Sequence, residues 1–182
     1  MPTLAGETPA MRGLNVQFPF ARMLVQGYKT VELRRYPLGS RGLPEAGRPM
    51  FVIETPGAGA RALPGVLTED VPDDLLDPPR RARVVGVVAF ASSTRYDSQA
   101  AFNHARAQHR VGQGGQFDWN GASALFAWQV QTARLLESFV DAADVAPRQI
   151  LGWLRPVCLS EKRTHEATFE TDNADRSKRR RV

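Results

Sequence analysis

The segment LNVQFPFARMLVQGYKTVELRR (14–35) constrains the fold of this chain more than any other. LNVQF alternates apolar and polar residues and predicts a short strand. Pro19 suits the first turn of a helix, where its missing N–H costs little, and Gly27 suits a left-handed C-terminal cap. TVELR alternates again, so 14–35 is predicted as strand–helix–strand. The helical face is formed by Phe20, Met23 and Leu24.

The rest of the chain predicts more strands than helices. MFVIET (50–55), RVVGVVAFASSTRY (83–96) and ALFAWQVQTARLL (124–136) have the composition of strands, and Gly86 marks a bulge or a close approach. DSQAAFNHARAQHR (97–110) predicts a helix, and APRQILGWLRP (146–156) a short helix or strand. Strands and helices do not alternate regularly. We therefore predict an α+β fold, a small and mostly antiparallel β-barrel with flanking helices.

Composition divides the chain into one domain and two ends. The 182 residues suit a single domain, which we place at 13–158 after a flexible N-terminus (1–12). Residues 56–81 are dense in Gly, Pro and acid and predict a surface insertion. Residues 159–182 are polar and predict a disordered tail. Its basic end contains Lys178, Arg179, Arg180 and Arg181.

Several classes of protein are excluded by composition. A single cysteine, Cys158, allows no intramolecular disulfide and no cysteine metal cluster. The apolar run VVGVVAFA (84–91) is far short of a membrane span, and the N-terminus lacks the apolar core of a secretory signal. We expect a soluble intracellular protein with no cofactor, no metal and no membrane partner. The basic tail predicts the nucleus if the organism has one, and otherwise the protein is cytoplasmic or the tail only solubilises it.

Lysine is rare, although the chain is rich in basic residues. Of its 24 Lys and Arg residues three are lysine, and Lys29 is the only one before Lys162. An ammonium can neutralise a phosphate, donate to a carbonyl or, when desolvated, act as a base. Strict alternation puts Glu32 and Arg34 on one strand face and Lys29 on the other. Lys29 can therefore join them only from a turn after Gly27 or across a bulge.

The same segment resembles the opening of ASCH domains, which are PUA-like barrels. The match consists of Gly27, Lys29, Glu32 and Arg34, preceded by the opening Gln17–Ala21, and GVVAF (86–90) and FAWQV (126–130) fit two later strands. The resemblance implies a domain that binds RNA or a nucleotide-like ligand in a cleft walled by the Lys29, Glu32 and Arg34 side chains. The further expected ligand contacts are Thr30, Gln17 and Trp119. Arg22, Arg35 and Arg106 are expected to meet phosphates.

Aromatic and histidine side chains leave alternatives open. Trp128 is predicted in the core, whereas Phe117 and Trp119 either stack on an unpaired base or anchor their glycine-rich loop. His104 and His109 are five residues apart, which misaligns them on an ideal helix. They are solvated, line a groove or act in catalysis.

Two alternative functions stay open. One is a hydrolase of this fold acting on RNA or a modified nucleoside, with Lys29 as its catalytic candidate. Related amidohydrolases acting on N4-acetylcytidine use a threonine where this chain has Glu32, and a helical glutamate that is absent after Asp97, so their mechanism is not predicted. The other is an adaptor that binds a protein partner through 56–81.

Overall fold

The computed structural model describes residues 11–40, 45–56 and 65–142. The predicted element at 146–156 and the tail at 159–182 lie outside these residues, as does nearly all of the N-terminal segment. Within these ranges the chain forms five strands, three short helices and a 3-10 helix. Their bounds are β1 Gly13–Gln17, α1 Phe20–Val25, β2 Val31–Arg34, β3 Met50–Thr55, a 3-10 helix Asp73–Leu76, β4 Arg83–Arg95, α2 Gln99–His104, α3 Arg106–His109 and β5 Phe126–Asp141.

All five strands form one mixed sheet in the order β1-β3-β4-β5-β2. β1 pairs parallel with β3, from Gly13 opposite Phe51 to Gln17 opposite Thr55. The other three pairs are antiparallel, including β2 with the start of β5. The predicted α+β class, with mostly antiparallel pairing, is confirmed.

The predicted closed barrel is wrong. β1 and β2 are the two edges of the sheet, and within the described ranges no backbone ladder joins them. A side chain bridges the edges instead, because Arg34 Nη2 of β2 donates to the backbone O of Asn15 in β1 at 2.6 Å. Polar side chains thus occupy the gap in which a ladder would close the barrel.

Helix α1 packs against the sheet with all six of its residues buried. The contact with β4 is close at Gly86, where a Cβ would lie 2.5 Å from Val25 Cγ1 and 2.5 Å from the Arg134 carbonyl oxygen. The β4–β5 register also shifts between Val84 and Gly86, so both predicted roles of this glycine are observed. Trp128 is completely buried, as predicted, and its indole N–H donates to Tyr36 O at 3.0 Å.

The described part of the predicted insertion, 65–81, packs on the domain. Val71 and Leu75 are buried in the hydrophobic core of the domain, and Val66 forms a β-bridge with Val111. The domain limits themselves stay a prediction. Across the described ranges, no helix has the length and apolar character needed to cross a membrane.

Candidate functional site

Lys29 lies in the turn between α1 and β2. Gly27 adopts a positive φ of 88°, and the Lys29 N–H donates to Met23 O at 3.0 Å, which caps the helix. β2 begins only at Val31, so strand alternation does not apply to Lys29. Its side chain therefore reaches Glu32 from the turn, which is one of the two geometries expected from the sequence.

The Lys29 ammonium is buried, and all its N–H donors are used. Nζ donates to the backbone oxygens of Val31 and of His109, the latter at 3.1 Å, and lies 3.3 Å from Glu32 Oε2. The residue is 2% exposed. Burial lowers the pKa of Lys29, the Glu32 carboxylate raises it, and the Arg34 charge lowers it further.

Glu32 links the two cations. Its Oε2 faces Lys29, and its Oε1 lies 2.9 Å from Arg34 Nη2. Arg34 Nη2 continues to Asn15 O, so one chain of polar contacts crosses from the α1–β2 turn to the opposite edge strand. We call Lys29, Glu32 and Arg34 the triad.

The triad borders a cavity of about 310 Å³ between the two edge strands, which we call the cleft. Two buried side-chain atoms close to the cleft have no hydrogen-bond partner, the acceptor Asn15 Oδ1 and the donor Arg34 Nε. Both belong to residues that line the cleft. The lining residues are Asn15, Val16, Gln17, Phe20, Lys29, Glu32, Leu33, Arg34, Thr55, Val111 and Phe117.

Four of the six predicted ligand contacts meet at the cleft, namely the triad and the half-buried Gln17. Thr30 does not line it: its side chain is exposed. The Thr30 backbone instead joins two elements, donating to Gln108 O and accepting from Val130 N–H, both at 3.0 Å.

The two loop aromatics take different places. Trp119 is 7% exposed, its indole N–H donates to Ser123 O at 2.8 Å, and it packs on Phe102 with ring centroids 5.8 Å apart. Trp119 thus anchors the loop and does not line the cleft. Phe117 does line it, with its ring edge-on to Phe20 at 5.4 Å.

The arginines expected to meet phosphates lie outside the cleft lining. Arg22 is buried and bound to Glu54, with Nε 2.9 Å from Oε1. Arg106 Nη2 pairs with Asp118 at 2.9 Å. Arg35 is exposed beside Ser123, its hydrogen-bond acceptor. Only Arg35 therefore combines exposure with a place next to the triad in the chain.

Of the two candidate histidines, His109 is structural and His104 is exposed. The His109 ring stacks on Phe102 with centroids 4.3 Å apart. Its Nε2–H donates to Phe102 O at 3.0 Å, and Nδ1 accepts from Val111 N–H at 3.1 Å. Both ring nitrogens are thereby occupied in the neutral form.

Sequence reasoning missed Asn15 and Thr55, two polar residues of the cleft. Asn15 had a signal, since it shares a strand face with Gln17 two residues later. No local sequence signal marks Thr55, because it reaches the site only through the parallel β1–β3 pairing, which places it opposite Gln17. Among the residues that the structure describes, no group of three His, Cys, Asp or Glu side chains could hold a metal ion.

No protein-family model and no curated protein sequence matches the chain. Solved structures do match it. The ASCH crystal structure from Zymomonas mobilis is 17% identical, with a TM-score of 0.51, and the alignment covers 80% of this chain and 88% of that one. A serine-to-alanine mutant of the same ASCH protein is 14% identical, with a TM-score of 0.52 and coverage of 80% and 89%. The fold of this chain is thus similar to that of these ASCH structures.

Proposed function

We propose that this chain binds single-stranded RNA or a nucleotide-like ligand in the cleft between β1 and β2. The observation that carries the proposal is the pair of partnerless atoms, Asn15 Oδ1 and Arg34 Nε. A buried polar atom without a partner costs about 1–3 kcal/mol. A ligand with one donor and one acceptor would remove that cost at both atoms.

A nucleobase edge offers such a donor and acceptor side by side, and its faces are apolar. The cleft complements those faces with Val16, Val111, and the Phe20 and Phe117 rings. Stacking of a base on an aromatic side chain contributes about 1–3 kcal/mol. Arg34 adds a positive charge suited to a phosphate, since Glu32 shares its own charge between Arg34 and Lys29.

Lys29 then acts as a fixed charge that orients Glu32. A general base needs a free lone pair on a neutral amine, whereas Nζ here donates to two carbonyls and faces a carboxylate. The geometry thus favours binding over the hydrolase alternative, which stays a hypothesis. The adaptor alternative also stays a hypothesis. In the described part of its proposed surface, 65–81, the carbonyls of Asp74 and Asp77 accept hydrogen bonds from Arg22, so this segment is bound to helix α1.

Asn15→Leu tests the proposal because it removes the partnerless acceptor at nearly constant volume. We expect binding of a labelled eight-nucleotide single-stranded RNA of mixed sequence to weaken about tenfold, equivalent to 1.4 kcal/mol. Stability should rise by about 1 kcal/mol, since no buried acceptor is left unpaired. Fluorescence anisotropy measures the first quantity and urea denaturation the second.

Asn103→Leu is the matched control, because Asn103 is exposed on α2 and does not line the cleft. It should leave RNA affinity unchanged. The proposal is wrong if the wild type does not bind the RNA, or if Asn15→Leu binds it as tightly as the wild type. A gel of the recovered RNA decides the hydrolase alternative, which requires cleavage by the wild type.

A further inference from the structure

A second cavity of about 560 Å³ lies beside the cleft, and we call it the outer groove. Leu33, Arg34 and Phe117 line both cavities, so the two spaces share a wall. A ligand long enough to pass over Arg34 and Phe117 would contact both cavities. The residues found only in the outer groove are Arg35, Tyr36, Gln116, Asp118, Trp119 and Leu125.

The shared wall presents an aromatic ring to solvent. Phe117 is 37% exposed, although its edge contact with Phe20 holds it in place. The residue that follows Phe117 fixes the loop: the Asp118 carboxylate accepts hydrogen bonds from Arg106 at 2.9 Å and from Gly114 N–H at 2.8 Å. A firmly held and exposed aromatic ring is a suitable platform for stacking an unpaired base.

The same wall carries two consecutive arginines. Arg34 shares the single Glu32 carboxylate with Lys29, and Arg35 is exposed and lines the outer groove. The carboxylate at this groove, Asp118, is already paired with Arg106, so its charge is largely offset. The local excess of positive charge favours a phosphate between the two cavities.

We propose that the cleft and the outer groove are adjacent subsites for two consecutive nucleotides of a single strand. The linking phosphodiester lies at Arg34 and Arg35, and one base stacks on Phe117. The inference rests on the proposed function and adds a substrate class to it, an oligonucleotide with unpaired bases and not a free nucleoside. A duplex cannot place a base in either cavity, because its bases are stacked and paired.

Calorimetric titration with the four ribonucleosides and their four homodinucleotides tests the second subsite. Wild-type protein should bind at least one dinucleotide about tenfold more tightly than the matching nucleoside. Arg35→Ala should remove most of this gain and leave nucleoside affinity unchanged, because Arg35 does not line the cleft. Arg134→Ala, which removes an exposed arginine on β5, should change neither affinity.

A second variant separates phosphate contact from loop position. Ser123→Ala deletes the hydroxyl that accepts from Arg35 and keeps the guanidinium, so dinucleotide affinity should remain within about twofold of wild type. The inference is overturned if Arg35→Ala binds dinucleotides like the wild type, or if Ser123→Ala loses as much as Arg35→Ala. In either case, the proposed function would still hold if Asn15→Leu weakens nucleoside binding. Absence of all binding would overturn both.

Discussion

At the scale of single residues, the rarity of lysine has a geometric explanation. One nitrogen at Lys29 donates to the Val31 and His109 oxygens and faces Glu32. A tetrahedral ammonium can direct three N–H groups to three separate acceptors around it. A guanidinium is planar and larger, and spreads its donors in one plane. The site therefore favours lysine in a chain whose basic residues are mostly arginine.

Lys29→Arg should destabilise the fold by about 2 kcal/mol, because an oversized group must fit a closed space. The reverse exchange at an exposed position, Arg134→Lys, should stay within about 0.5 kcal/mol of wild type. Urea denaturation of the three proteins measures the difference. Equal midpoints for Lys29→Arg and wild type would show that charge alone, and not shape, selects lysine.

His109 makes the fold sensitive to mild acid. Burial lowers its pKa from the ordinary 6.5 to about 4, opposed by the bond to Phe102 O and reinforced by the Lys29 and Arg106 charges, with Asp118 raising it slightly. Between these two values the unfolded chain binds more protons, so stability falls as the pH falls from 6.5 to 4. The full loss is about 3 kcal/mol.

Urea denaturation at several pH values between 7.5 and 4.5 measures this slope. His109→Gln, which cannot titrate, should show a shallower decline across the window, whatever its stability at pH 7.5. The assigned NMR signals of the His109 ring in the wild type offer a second readout, because this ring should stay neutral at pH 5.5. A titration of His109 near pH 6.5 would contradict the lowered pKa.

At the scale of elements, local pattern predicted the strands well where neighbours are close in sequence. β3 has its predicted bounds, β2 and β4 differ by one residue at one end, and β1 is shifted by one residue. β5 instead extends to Asp141, beyond the predicted 136, because β4 supplies ladder partners as far as Arg83. The predicted helix 97–110 is split at Ala105. Alanine favours helix, so this break has no local signal in the sequence.

Helix α1 contacts β4 closely at Gly86. Gly86→Ala places a methyl group against Val25 and the Arg134 backbone. We expect a loss of about 2 kcal/mol from overpacking, compared with less than about 0.5 for the exposed Ser92→Ala on the same strand. A double-mutant cycle with Val25→Ala should show favourable coupling, since truncating valine relieves part of the clash. Additive effects would contradict this contact.

At the scale of the whole molecule, the sequence predicted which residues form the triad better than it predicted the open sheet around them. The triad follows from the turn at Gly27 and from strand alternation, and both are local. The open sheet is not local, because it depends on the parallel β1–β3 pairing and on β2 pairing with β5, nearly a hundred residues later. The gap between the edge strands exists because of these two pairings. The same gap forms the cleft.

Arg34 should therefore hold the two edges of the sheet together. Arg34→Met keeps the length of the side chain but removes the bonds to Asn15 O and Glu32, and should cost about 2 kcal/mol. The loss should be local: amide hydrogen exchange should accelerate in β1 and β2, while the β3–β4 ladder keeps its protection. Arg134→Met removes an exposed arginine from β5 and should alter neither region. Unchanged exchange in both edge strands would show that the edges are held by backbone and apolar packing alone, and that the cleft does not depend on the triad for its width.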